Sequence, residues 1–159
     1  MPNDEKNTAA KTPSAADAEL ILKLYDLRRE PVMRQARNFM AVEFWPKSAD
    51  DVAAIMSEFG SERNNYLRQV IGYWEMACSF VNRGVIHEDL FMDYGGEVVF
   101  IYLKFRDFLP ELRQRFSPFL LTQTEQLISR SKVAKDMAAN IERNLKARAE
   151  KLAAAEKSD

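Results

Sequence analysis

The sequence predicts an all-α, single-domain bundle of about six helices, and three observations carry that prediction. Apolar residues recur at intervals of three and four along most of the 159-residue chain. Ser followed three residues later by Asp, a helix-start signal, precedes two of those stretches, and Pro or Gly closes several others. No stretch reads as a strand: Val98 to Leu103 has β-forming residues but continues into Lys104, Phe105 and Phe108 at helical spacing, and a lone strand has nothing to pair with.

Residues 1–13 carry no periodicity and no aromatic side chain, so nothing offsets the entropy of ordering them, and a disordered tail is expected there. Ser14 with Asp17 starts the first helix, whose stripe is Leu20, Ile21, Leu24 and Leu27 and which runs to about Glu30. Pro31 opens a second helix with Met33, Ala36, Phe39 and Met40 on its apolar face, and Pro46 ends it. Ser48 with Asp51 starts a third, carrying Val52, Ile55, Met56 and Phe59, and Gly60 stops it.

Ser61 then caps the longest helix, 61–83. From Tyr66 to Val81 it leaves few directions polar, so it must be surrounded by other helices. Its polar or small residues, Asn65, Arg68, Gly72, Glu75, Ser79 and Asn82, step by three and four and form one narrow seam. After Gly84, His87 with Glu88 and Asp89 begins a short helix to Tyr94, and Gly95-Gly96 breaks it. An apolar helix follows at 98–109, Pro110 restarts the helix with Leu112 and Phe116 as anchors, and Ser117-Pro118 turns the chain. From about Thr122 the pattern stays helical to the end. Its thin stripe of Val133, Met137, Ile141, Leu145 and Leu152 predicts a projecting, mostly solvated helix at 131–159 beyond a domain at 14–130.

Composition narrows function by exclusion. A net charge of -1 gives no general pull toward nucleic acid or an anionic membrane. Arg28, Arg29, Arg34 and Arg37 are interleaved with Asp26 and Glu30, so no nucleic-acid partner is expected. The longest apolar run, Val98 to Leu103, is far short of the ~20 residues of a membrane-crossing helix, and no membrane span is expected. The single cysteine, Cys78, sits among Met76, Ala77, Phe80 and Val81; a packed thiol without a disulfide partner fits the cytoplasm.

The segment YWEMACSFVNRGVIHEDLFMDYGGEVVFIYLKFRDFLPELRQRF, Tyr73 to Phe116, resembles a family of small helical bacterial proteins with no assigned function. The features that match are an aromatic-Glu pair in a long helix, a Gly at its end before an apolar-x-acidic start, and a later helix closing in Pro-Glu-Leu-Arg. The stretch LILKLYDLRREPVMRQARNFMAVEFWP is similar to the N-terminal part of such proteins. The resemblance implies an all-helical domain and brings no catalytic residues. Some members of that family carry a membrane anchor, and this sequence shows none.

Chemistry-bearing patterns are sparse. With His87 the only histidine, nucleophilic triads and most zinc sites are not expected. His87, Glu88, Asp89, Asp93 and Glu97 have the spacing of a metal site, but Gly95-Gly96 breaks their common face; helix capping is the preferred reading, and no metal or cofactor is expected. Gly95-Gly96 lacks the Gly-Lys-Ser/Thr of a phosphate cradle and reads as a turn. Cys78 reads as core. Glu75, midway along the long helix, either faces water within the seam or, if another helix covers it, must pair; Arg106 is then the predicted partner of a buried ion pair. Phe39, Phe44 and Trp45 around Pro46 are a candidate interface or plain core.

The sequence thus leads to a non-catalytic interaction or scaffold module, its partner another protein or a second copy of itself. Two alternatives stay open: a sensor of apolar small molecules, and an enzyme using Glu75 with Arg68 or Arg106.

Overall fold

A computed structural model describes residues 12–156, and the tail read at 1–13 lies outside them apart from Thr12 and Pro13. Among the described residues the secondary structure is helical: α1 (Ala15–Arg29), α2 (Pro31–Asn38), a π-helical turn (Phe39–Glu43), α3 (Ala49–Ser57), α4 (Glu62–Asn82), α5 (Glu88–Met92), α6 (Gly96–Phe105), a 3-10 turn (Arg106–Phe108), α7 (Leu109–Arg115), α8 (Thr122–Arg130) and α9 (Lys132–Glu156). The all-helical class is as expected. The described residues hold nine α-helical segments, more than the six or so expected, and the stretch read as continuous from Thr122 is broken at Ser131.

Local chemistry explains the starts. Ser14 and Ser48 both close full capping boxes with Asp17 and Asp51, and Ser61 accepts from the Asn64 amide. Pro31 opens α2, where the Glu30 side chain accepts from the Met33 amide at 2.8 Å. Gly60 and Gly84 take φ of +86° and +71°, a left-handed geometry that side chains with a Cβ strain to adopt. At Ser131 the backbone turns extended and its hydroxyl accepts from the Ala134 amide, so α9 restarts at an angle to α8.

Helix α4 is the axis. It buries Asn64, Leu67, Val70, Ile71, Tyr73, Trp74, Ala77, Cys78 and Val81, packing most extensively against α8 and α2. Phe39 and Phe44 join Phe105 and Tyr66 in one aromatic group, with ring centroids 5.4 to 6.0 Å apart. Trp74 sits between Tyr73 and Phe91. Helix α9 lies across α6 and α8 through Ala134, Met137, Ala138, Ile141 and Leu145; past Leu145 its described side chains are exposed.

The α4 seam divides. Asn65, Arg68 and Gly72 face water, whereas Glu75, Ser79 and Asn82 lie under neighbouring structure. Glu75 does not pair with Arg106. Its carboxylate accepts from the Gln123 and Thr124 amides at 3.1 and 2.8 Å and from the Thr124 hydroxyl at 2.7 Å, capping the first turn of α8 from a different helix. That helix needs an outside acceptor, because the residue before it, Leu121, has φ +53° and supplies no side-chain cap. Arg106 lies in the 3-10 turn and pairs instead with Glu142 of α9 at 2.6 Å and with Asp107. The change from helix to 3-10 geometry carries its side chain away from α4.

Glu75→Leu, which strands the Gln123 and Thr124 amides, is therefore expected to lower stability by about 2–4 kcal/mol, whereas Arg106→Leu, which removes a half-exposed pair, should change it by less than about 1 kcal/mol. Urea denaturation of both variants checks this; equal losses would restore the direct ion pair.

Candidate functional site

The interface predicted at Phe39, Phe44 and Trp45 is only partly a surface. Phe39 and Phe44 are buried core residues, because the π-turn rotates both rings toward α4 and α6. Trp45 is 46% exposed. Its indole NH donates to the Val42 carbonyl at 2.9 Å, and its ring meets Phe100 edge-on at 5.8 Å.

The turn is held by a residue that the sequence reading passed over. Lys104 is buried on α6, and its Nζ donates to the carbonyls of Met40 (2.5 Å) and Phe44 (2.8 Å), with Ala41 at 3.4 Å. The ammonium also lies 3.8 Å from the Trp45 ring centroid and 4.6 Å from that of Phe100. Burial pushes it down to about 8. A π-helical turn leaves carbonyls without helical donors, and a cation delivered from another helix satisfies them. The available signal was a lone lysine between Leu103 and Phe105 on the most apolar helix. Beside it lies a cavity of about 340 Å³, lined by Trp45, Leu103, Lys104 and Phe108 and closed by Glu142 and Leu145 of α9.

The expected metal-spaced residues go to other work. His87 caps α5, with Nδ1 3.4 Å from the Leu90 amide, and Glu88 pairs with Arg130. Glu97 faces away toward α1 and α2, accepting from Arg28 at 3.0 Å and from Arg37 at 2.5 Å. Among the described residues no three His, Cys, Asp or Glu side chains come together to hold a metal ion. Cys78 is buried, and burial pushes its thiol up to about 12, which leaves almost no thiolate at neutral pH.

Two of these contacts build a surface feature. Asp17, only 2% exposed on the first turn of α1, accepts from the His87 amide at 2.7 Å and ties the start of α1 to the start of α5. Arg28, at the other end of α1, reaches Glu97 on the first turn of α6, immediately after α5. Between these two clasps runs an apolar groove of about 380 Å³, walled by Ala18, Ile21, Leu22 and Tyr25 of α1 and by Leu90 and Tyr94. Its walls stay open to water: Leu22, Tyr25 and Tyr94 are 65%, 49% and 59% exposed. The Tyr73 hydroxyl, which donates to the Leu24 carbonyl at 2.7 Å, pins the middle of α1 to α4.

Helix α1 differs from the one-sided helix expected. Leu24 is its only fully buried aliphatic side chain, and Leu27, placed on the inner stripe by spacing, is 52% exposed. Leu20, Ile21 and Leu22 are consecutive and so point about 100° apart. That run was the sequence signal for a second apolar face.

Burial works against the charge on Glu97, but the hydrogen bond from Arg37 and the neighbouring Arg28 charge outweigh it and hold the carboxylate below its ordinary pKa of 4.5. A depressed carboxylate contributes stability that is complete above the unfolded value and lost as pH falls through the folded one. The stability gap between wild type and Glu97→Gln should therefore be widest near neutral pH and close as pH drops below 4.5, as read by urea titrations across that range. A gap independent of pH would mean that Glu97 acts by packing. Lys104→Met is expected to cost about 2–3 kcal/mol and to speed amide exchange through residues 39–44; unchanged exchange there would mean that the π-turn holds itself.

Among the described residues no helix is long and apolar enough to cross a membrane. No curated protein and no solved structure matches the chain. A family model described as a domain of unknown function (DUF4760) matches residues 13–131, from the start of α1 through α8 but not α9. Because that match covers three quarters of the sequence, the chain belongs to the DUF4760 family of all-helical domains of unknown function.

Proposed function

We propose that this protein is a non-catalytic interaction module that binds another protein through the α1–α5 groove. One observation carries the reading: an apolar groove, open to water, is held at a set width by two polar clasps, Asp17–His87 and Arg28–Glu97. Helix α1 carries a second apolar face beside its buried one, and Leu22 and Tyr25 on that face stay open to water. Rigid walls lower the entropy lost when a partner docks, which favours a preformed site over a surface that must reorganise. The residues named for an enzyme are committed elsewhere: Glu75 caps α8, Arg68 lies over the Phe59 ring, and Arg106 pairs with Glu142. The buried, unpaired Cys78 supports a cytoplasmic setting.

The cavity beside Trp45 and Lys104 supports the second reading, a small-molecule sensor, since an apolar ligand there would contact both α6 and α9.

Native mass spectrometry of the protein purified gently from its host separates the two. A partner mass present in the wild type and in Trp45→Gln, but absent from the well-folded double variant Leu22→Gln/Tyr94→Gln, is the expected result. A small adduct lost only from Trp45→Gln would replace the interaction reading with the sensor.

A further inference from the structure

Resting on that reading, we infer that the groove's partner is an amphipathic helix of two to three turns whose apolar stripe is flanked by lysine or arginine. The groove follows α1 from Ala18 to Tyr25, about 10 Å or two helical turns, with Leu90 and Tyr94 one turn apart opposite. A ridge of side chains spaced i, i+3/i+4 and i+7 fills such a channel, whereas a bilayer surface is flat on this scale.

The rim supplies the charge argument. Four of the six wall residues have an exposed carboxylate as a chain neighbour, Glu19 after Ala18, Asp26 after Tyr25, Asp89 before Leu90 and Asp93 before Tyr94, while Leu22 is followed by Lys23. Lys23 and Arg29 are the exposed cations on the same helix, so four carboxylates face two cations. None of the six takes part in an ion pair among the described residues. Their field is therefore available to an incoming chain, and it favours cationic flanks. The same acidic rim opposes an anionic membrane. It also opposes an antiparallel two-fold contact between copies centred on Leu22, which would bring Glu19 of one copy near Asp26 of the other.

The test uses the full chain and two labelled helical peptides with one identical Leu/Phe stripe, one flanked by lysine and one by glutamate, followed by fluorescence anisotropy. The lysine-flanked peptide is expected to bind at least about tenfold tighter at low ionic strength, with the preference shrinking as salt rises. Leu22→Gln/Tyr94→Gln, at positions too exposed to disturb folding, should abolish binding of both peptides. Asp26→Lys/Asp93→Lys should reverse the preference.

Equal affinity for the two peptides, lost in the double glutamine variant, would overturn the charge assignment while leaving the docking groove standing. Failure of both peptides to bind would overturn the groove as a helix site. Co-sedimentation with phosphatidylcholine/phosphatidylserine vesicles that is lost in the glutamine variant would assign the groove to a membrane surface instead. A dimer in native mass spectra that is lost in the same variant would assign it to a second copy.

Discussion

Helix α4 is stable only with its broad apolar face covered, and most of the fold follows from that requirement. It is 21 residues long and buries nine of them, including Tyr73 and Trp74, whose removal from water is worth several kcal/mol each on an area basis. Covering it takes helices on several sides, and α2, α3 and α8 supply them. The cover over the C-terminal half of α4 partly buries a carboxylate, Glu75, and a carboxylate drawn out of water is stabilised by donors aimed at it. The start of α8, with free amides and no cap of its own, provides those donors. One contact thus satisfies a half-buried anion and an uncapped helix together.

The same exchange recurs at other junctions. Lys104 is a cation without a carboxylate partner, and the π-turn offers carbonyls without donors; each removes the other's desolvation cost. Asp17 closes its own capping box and, with the second oxygen, accepts from the backbone before α5. Glu97 holds two guanidinium groups from two helices. In each case a buried charge meets groups released by a helix end or by another element. Such contacts depend on direction, and they set register where apolar packing alone would allow sliding.

The proposed interaction surface comes from what the packing leaves uncovered. Most apolar side chains join one core, but Leu22, Tyr25 and Tyr94 do not, because α1 is held at its ends and middle by polar contacts rather than by a deep apolar interface. A helix attached in this way can keep a second apolar face exposed without collapsing onto the core. Helix α9 shows a different economy. It lies beyond the family-matched region, covers α6 and α8 with Ala134, Met137, Ala138 and Ile141, and adds Glu142 and Leu145 to the cavity wall beside Trp45.

Much of the fold was legible in the residues themselves. Ser14, Ser48 and Ser61 mark helix starts because a hydroxyl that accepts from an amide three residues on is a local event, and the packing of other helices around α4 could be read from the narrowness of its polar seam. Gly60 and Gly84 marked stops for the same local reason. The chain alone required Glu75 to find partners if covered, but it could not name them: an N-terminal turn 48 residues away carries no side-chain signature, whereas Arg106 advertised a charge. Nor could it show that Phe39 and Phe44 turn inward, since that depends on the wider π-turn and on a lysine 60 residues away from Phe44. Periodicity reports which residues share a face; it does not report what lies opposite. The α1–α5 groove, its two clasps and the unpaired acidic rim are relations between elements, so only the tertiary structure decided them.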